Sequence, residues 1–187
     1  MIDAAERIVI FTGAGISTES GIPDFRSPGT GLWNKIKPIE FQDFVASDEV
    51  RQESWRRRFS GDRTMENAIP NNGHQAVAQL VKEEKVSVVI TQNVDNLHQD
   101  SGIDDENVIE LHGNAKYAKC LSCETRYELE DLEAQYKTEG RVDPCSRCDG
   151  IIKSATISFG QAMPEKEMER AREATSQCDL FIVIGSS

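Results

Sequence analysis

Arg7-Ile-Val-Ile-Phe-Thr12, followed at once by Gly13-Ala-Gly15, carries the strongest signal for the fold of this protein. Four consecutive apolar residues that end near glycine are typical of a strand buried on both faces, as in a parallel sheet. By itself the glycine turn fits two interpretations. It could let backbone N–H groups approach a pyrophosphate, or it could be an ordinary strand-to-helix turn. The third glycine of a dinucleotide-binding turn is absent, because position 18 is Thr.

The same alternation of strand and helix continues along the chain. Further strands are predicted at residues 86–90, 107–111, 155–159 and 180–184, and helices within residues 38–59 and at 72–84, 129–137 and 164–175. Strands that alternate with helices predict an α/β fold with a parallel sheet, in which ligands bind at the carboxyl ends of the strands. Polar or glycine-rich groups follow the predicted strands at Gly13–Gly15, Gln92–Asp95, His112 and Gly185–Ser187. We therefore expect a ligand site at this edge of the sheet.

Four of the five cysteines form two C-x-x-C pairs, Cys120 with Cys123 and Cys145 with Cys148. Two intervening residues let both thiolates of a pair reach one tetrahedral ion, and two such pairs complete an all-thiolate site. The alternatives are four reduced thiols or a redox pair. Because an all-thiolate site leaves no coordination position open, the expected Zn²⁺ is structural and holds together a module with little core of its own.

The charge of the chain disfavours some partners. The sequence has 21 Lys and Arg against 32 Asp and Glu, a formal net charge of -11. Phosphate backbones repel such a chain, so we expect no direct nucleic-acid partner. The apolar run at residues 8–11 is far shorter than a secretory or membrane-spanning segment, so we expect no membrane partner and a cytoplasmic location, with a nuclear one as the alternative.

Longer motifs resemble those of a known family. Residues 13–26, Gly-Ala-Gly-Ile-Ser-Thr-Glu-Ser-Gly-Ile-Pro-Asp-Phe-Arg, resemble the signature loop of the sirtuins, the NAD-dependent protein deacylases. Residues 91–98, Thr-Gln-Asn-Val-Asp-Asn-Leu-His, match the second sirtuin motif, and Leu111-His-Gly113 matches the third. The two cysteine pairs match the zinc ribbon, and Phe159-Gly160 and Gly185-Ser-Ser187 resemble two later motifs. Together these motifs cover nearly the whole chain in the order of the family.

The resemblance implies a Rossmann-like parallel sheet with an inserted small zinc-ribbon domain. The NAD-binding domain is expected over residues 1–114 and 152–187, and the zinc ribbon over residues 115–151. NAD and an acyl-lysine peptide would bind in the cleft between the two domains. In the family, one or two strands and a helix follow the last strand of this sequence, so we expect the sequence to be truncated at its C-terminal end.

The resemblance also implies the site residues. The expected cofactor-binding residues are Gly13, Ala14, Gly15, Ser17, Asp24, Phe25, Arg26, Gln92, Asp95, Gly185, Ser186 and Ser187. Phe159 and Gly160 would bind the substrate, and Asn93 and His112 would be catalytic. In the NAD-dependent deacylation that the family catalyses, a ribose hydroxyl must lose a proton. An imidazole with a pKa near neutrality suits the role of general base. His74 and His98 are interpreted as structural.

The implied activity is NAD-dependent removal of acetyl or other acyl groups from lysine, in proteins or peptides. The products would be nicotinamide, free lysine and an O-acyl-ADP-ribose. One alternative is a mono-ADP-ribosyltransferase that activates NAD in the same way. A second alternative is a truncated, inactive scaffold that binds NAD and zinc. Lys153-Ser154 and Gln161 differ from the Arg-Pro and Glu of many relatives, so peptide preference could differ.

Overall fold

The computed structural model describes residues 1–24, 37–61 and 63–186. The strands are β1 (Ile8–Thr12), β2 (Val86–Thr91), β3 (Val108–Glu110), β4 (Tyr117–Cys120), β5 (Arg126–Glu128), β6 (Ile152–Ser154) and β7 (Leu180–Ile184). The α-helices of the described residues are α1 (Phe41–Ala46), α2 (Asp48–Ser60), α3 (Thr64–Asn67), α4 (Asn72–Lys82), α5 (Leu97–Asp100), α6 (Leu129–Glu139) and α7 (Glu165–Gln177). Within the described part of the chain, no helix is both long and apolar enough to cross a bilayer.

The chain divides into two compact units, which are described separately. The first unit comprises Met1–Lys37, Thr64–Gly113 and Met163–Ser187. The second unit comprises Pro38–Arg63 and Asn114–Ala162.

A four-stranded parallel sheet forms the centre of the first unit, with strand order β3-β2-β1-β7. Successive side chains of a strand point to opposite faces. Ile8 and Ile10 accordingly pack into one apolar cluster with Val77 of α4, while Val9 packs into another with Ala171 of α7. Because helices cover both faces of the sheet, its strands are continuous apolar runs rather than alternating ones. The α/β fold with a parallel sheet that the sequence predicts is confirmed.

The start of α4 is tied to the glycine turn after β1. The Asn71 side-chain oxygen caps the helix by accepting from Gly73 N at 2.8 Å and His74 N at 3.3 Å. The same side chain donates through Nδ2 to the Ile16 carbonyl oxygen at 2.7 Å. A side chain that satisfies the free amides of a helix start stabilises it by about 1 kcal/mol. Here it also holds the chain after Gly15 against α4.

The second unit is built around a small antiparallel sheet with strand order β5-β4-β6, beside α6 and the pair α1–α2. Trp55 of α2 is buried in one apolar cluster with Ala118 of β4 and Leu132 of α6. The sequence-based boundaries assigned residues 38–63 and 152–162 to the Rossmann-like domain, whereas packing groups them with the second unit. The physical reason is the Trp55 side chain, whose apolar surface is buried against the module that carries the cysteines.

The strand predicted at residues 155–159 is wrong. The strand in this region is β6, which ends at Ser154 and pairs with β4 of the second unit. At its end, Lys153 Nζ donates to the carbonyl oxygens of Ser154 at 3.2 Å and Thr156 at 2.5 Å. The backbone then turns at Gly160, whose φ of 76° lies in the left-handed region. Sheet pairing therefore ends at Ser154, and an apolar pattern cannot reveal where a strand loses its partner.

Candidate active site and metal site

The glycine turn after β1 packs against the end of β7. Gly13 N donates to the Ile184 carbonyl oxygen at 3.0 Å, and Gly15 N donates to that of Gly185 at 2.8 Å. A Cβ on Gly13 would lie 2.8 Å from Gly185 O, and one on Gly15 would lie 2.8 Å from Gly185 Cα. Contacts this short do not occur for real side chains, so both glycines are required by the close approach of two backbones. A 3₁₀ helix, Ala14–Ser20, follows the turn.

Three polar side chains meet in a buried cluster beside this turn. Ser17 Oγ donates to Asp95 Oδ2 at 2.7 Å. Asn93 Nδ2 donates to Ser17 Oγ at 3.2 Å and to the Gly13 carbonyl oxygen at 3.1 Å. The other Asp95 oxygen accepts from Leu97 N at 3.0 Å. These bonds satisfy a buried carboxylate and amide, and they hold the segments after β1 and β2 in one arrangement.

His112 follows β3 at the same edge of the sheet and is half-buried. Its Nδ1 lies 2.8 Å from the Gln92 carbonyl oxygen. A carbonyl oxygen can only accept, so Nδ1 carries the proton, and in the neutral ring the lone pair is on Nε2. An imidazole in this tautomer can accept a proton at Nε2 while Nδ1 stays anchored.

The structure brings together the predicted residues of the first unit that it describes. These residues lie at the carboxyl ends of β1, β2, β3 and β7. They are Gly13, Gly15, Ser17, Asn93, Asp95, Gly185 and the Gln92–His112 pair. Ala14, Asp24 and Ser186 are half-buried. Phe25, Arg26 and Ser187 lie outside the described residues.

The predicted substrate residues Phe159 and Gly160 lie in the second unit. Phe41 N, at the start of α1, donates to the Phe159 carbonyl oxygen at 2.8 Å, and the Phe159 ring is 48% exposed. A large aromatic ring left half in water is available to a ligand.

Two residues near this site were given no role in the sequence analysis. Thr12 and Thr91 end β1 and β2, and both are buried. Thr12 Oγ1 donates to Thr91 Oγ1 at 2.8 Å. The signal that could have found them is a hydroxyl at the end of each of two otherwise apolar strands, because such a buried group needs a partner.

The four paired cysteines converge in the second unit. Their sulfur atoms all lie within 4.8 Å of one another, with Cys120 to Cys148 at 3.5 Å and Cys123 to Cys145 at 3.6 Å. A tetrahedral zinc with Zn–S bonds of about 2.3 Å needs sulfur atoms about 3.8 Å apart, so this arrangement fits Zn²⁺.

The surroundings of the cysteines also suit thiolates. Tyr127 Oη donates to Cys145 Sγ at 3.0 Å, and Ser122 N donates to Cys120 Sγ at 3.4 Å. A Cβ on Gly150 would lie 2.7 Å from Cys120 Sγ, so glycine is needed for the chain to pass the site. Hydrogen bonds of this kind orient and stabilise metal-bound sulfur.

The fold and the site define a class of protein. A parallel sheet whose strand ends meet a glycine turn and a buried polar cluster is the nucleotide-binding edge of a Rossmann-like domain. The chain belongs to the Sir2 family, whose sequence profile matches residues 13–187.

Curated relatives and solved structures agree with this assignment. NAD-dependent protein deacetylase 1 of Bradyrhizobium diazoefficiens is 56% identical over 187 residues, which cover 100% of this chain and 73% of that protein. The NAD-dependent protein deacetylase of Rhodopseudomonas palustris is 54% identical, over 100% of this chain and 74% of that protein. A solved structure described as "The Structural basis of Sirtuin Substrate Affinity" is similar with a TM-score of 0.84 and 35% identity, over 100% of this chain and 74% of that one. Another, "Sir2-p53 peptide-NAD+", has a TM-score of 0.81 and 34% identity, over 99% and 72%.

Proposed function

We propose that this protein is an NAD-dependent protein-lysine deacetylase that releases nicotinamide, free lysine and an O-acyl-ADP-ribose. The observation that carries the proposal is the meeting of His112, with its Nε2 lone pair available, and the buried cluster of Ser17, Asn93 and Asp95 at one edge of the sheet. The deacetylases of Bradyrhizobium and Rhodopseudomonas, more than half identical to this chain, support it.

The chain's own residues supply binding, orientation and proton transfer. The cofactor-binding set includes Ser17, Gln92 and Asp95, and the side chain of Asn93 orients the nicotinamide end. NAD supplies the electrophilic ribose carbon, and the acyl oxygen of the lysine substrate bonds to that carbon as its bond to nicotinamide breaks. His112 accepts a ribose hydroxyl proton at Nε2, and the Gln92 carbonyl oxygen, which accepts from Nδ1, stabilises the positive charge that then develops on the ring.

The substrates that we propose are acyl-lysine peptides and proteins, with Phe159 and Gly160 at the peptide site. Solved relatives described as "Sir2-p53 peptide-NAD+" and "Structure of Sir2Tm bound to a propionylated peptide" support this, at 34% identity in each case. The zinc held by the four cysteines has a structural role, because an all-thiolate site leaves no position open for chemistry.

Mass spectrometry of an acetyl-lysine peptide, incubated with the zinc-loaded protein with and without NAD, tests the proposal. We expect NAD-dependent loss of acetyl that disappears in His112→Ala and persists in Lys82→Ala, an exposed change on α4. Circular dichroism and bound zinc should be the same for all three proteins. No turnover by a folded, zinc-bound chain would refute the proposal. Labelling of protein from NAD without deacetylation would instead favour the mono-ADP-ribosyltransferase alternative.

A further inference from the structure

A chain of buried hydrogen bonds lies beneath the polar cluster of the first unit. His98 Nε2 lies 2.9 Å from Thr12 Oγ1, which donates to Thr91 Oγ1 at 2.8 Å. Thr91 Oγ1 also accepts from Asn93 N at 3.0 Å. His98, Thr12 and Thr91 are each at most 3% exposed, so water cannot replace these bonds.

Donation along this series of hydrogen bonds runs in one direction. A threonine hydroxyl has a single proton, and that of Thr12 is donated to Thr91. Thr12 must therefore accept from His98, so the His98 ring carries its proton on Nε2. Thr91 Oγ1 then accepts twice, from the Thr12 hydroxyl and from the Asn93 amide.

The His98 ring is neutral, and with its proton on Nε2 the lone pair is on Nδ1. Burial, with a smaller contribution from His74, lowers the pKa of His98 to about 3. The His74 ring meets it edge to face, with 5.1 Å between centroids. Burial also lowers the pKa of His74, and the charge of the nearby Asp95 offsets only part of this effect.

The two rings are complementary in their protons. His74 Nδ1 accepts from Asn71 N at 3.4 Å, so the His74 proton is on Nε2. His74 Nε2 and His98 Nδ1 are buried and have no hydrogen-bond partner among the described residues. The first of these atoms carries a proton and the second a lone pair, but no hydrogen bond joins them.

These hydrogen bonds end at the backbone amide of Asn93, a proposed catalytic residue. The Asn93 amide hydrogen is held by Thr91, while the Asn93 side chain donates to Gly13 O and Ser17 Oγ. The main chain and side chain of Asn93 are therefore held from two directions.

We infer that His98 is a positioning residue that holds the Asn93 backbone through the hydroxyls of Thr12 and Thr91. The Nε2–H donor of His98 orients the Thr12 hydroxyl toward Thr91. Thr91 Oγ1 then accepts from both Thr12 and the Asn93 amide, and these two bonds fix its position. The consequence for catalysis rests on the proposed function, in which Asn93 orients the nicotinamide end.

Residue-resolved hydrogen exchange of the backbone amides tests the positioning directly. His98→Leu and Thr12→Val each break the chain, and the second change preserves side-chain shape, so it serves if the first fails to fold. We expect exchange at the Asn93 amide to become about tenfold faster, as for the loss of one buried hydrogen bond. The Gln92 amide, which donates to the Thr12 backbone oxygen at 3.0 Å, should not change.

Conservative variants and a core control separate positioning from general destabilisation. His98→Gln keeps an N–H donor at about the reach of Nε2, and Thr12→Ser keeps the hydroxyl, so both should restore the protection of Asn93. Val9→Ala, in the apolar cluster on the α7 side of the sheet, should lower stability without a selective change at Asn93. Unchanged Asn93 exchange in Thr12→Val and His98→Leu, or no restoration by Gln and Ser, would overturn the inference.

Steady-state kinetics tests the link to the reaction. We expect kcat/KM for NAD to fall about tenfold in Thr12→Val and His98→Leu, with the KM for the acetyl-lysine peptide unchanged. If the unaltered protein shows no turnover, the proposed function fails, and the amide exchange still decides whether His98 positions Asn93.

Discussion

Gly185 allows the sharpest test of how the nucleotide-binding edge is packed. Its φ of 65° lies in the left-handed region, and a Cβ there would overlap the Ile16 nitrogen and lie 2.9 Å from Gly15 Cα. Left-handed geometry costs a non-glycine residue about 1–2 kcal/mol, and overpacking typically costs about 1–3 kcal/mol more. We expect Gly185→Ala to lower the free energy of unfolding by the sum, about 2–5 kcal/mol.

Two matched variants separate these contributions. Gly102 has a φ of 96° and nothing within 4 Å of an added Cβ, so Gly102→Ala carries the backbone strain alone. Gly15 has no positive φ, but its Cβ would lie 2.8 Å from Gly185 Cα, so Gly15→Ala carries the overlap alone. Urea unfolding followed by far-ultraviolet circular dichroism gives the three free energies, and calorimetry gives the NAD affinity of each variant.

The expected order of destabilisation is Gly185→Ala first and Gly102→Ala last. Gly185→Ala and Gly15→Ala, which move the backbones of residues 13–15 and 185, should also weaken NAD binding, whereas Gly102→Ala should not. Equal losses of stability in Gly185→Ala and Gly102→Ala would refute the reasoning, because the close approach of β1 and β7 would then contribute nothing.

Three further predictions concern buried or clustered groups. The pKa of His98, lowered to about 3 from 6.5, means that the unfolded chain binds a proton that the folded protein excludes, so stability falls as the pH drops below 6.5. Urea unfolding should show this loss as about 2 kcal/mol between pH 7 and pH 5, and His98→Gln should reduce it by that amount. Burial lowers the pKa of Lys153 to about 8 from 10.5, so stability should rise from pH 8 to pH 10.5. A pH series should show no such rise in Lys153→Met, and an unchanged rise would refute the assignment. Chelation of zinc, or Cys145→Ser, should speed amide exchange in β4 and α6 while the amides of β1 and β2 stay protected. Equally faster amide exchange in both units would contradict a role of zinc that is confined to the second unit.

Most of the fold could be predicted because its signals are local. The runs at Ile8–Thr12, Val86–Thr91 and Leu180–Ile184 are mostly apolar and too short for helices, which predicts strands of a parallel sheet. Asn71 caps α4 through atoms two and three residues away, which a sequence pattern can encode.

The strand predicted at residues 155–159 shows where local signals fail. Apolar alternation there is compatible with a strand, but pairing with β4 ends at Ser154, and Lys153 Nζ donates to the carbonyl oxygens of Ser154 and Thr156. Residues 38–63 were likewise expected in the larger domain, whereas the burial of Trp55 groups them with the cysteine module. Both outcomes depend on tertiary packing, because β6 pairs with β4 and Trp55 packs with Ala118 and Leu132.

The sequence by itself determined the parallel α/β sheet, the four zinc-binding cysteines and, through the motifs around Asn93 and His112, the family. These follow from apolar periodicity, ligand spacing and residue order, all of which are properties of neighbouring residues. Only the tertiary structure decided that Gly185 needs to be glycine and that His98 reaches the Asn93 amide through Thr12 and Thr91. The physical reason is that close backbone packing and buried hydrogen-bond direction depend on atoms about 80 to 170 residues apart in sequence, which come into contact only when the chain folds.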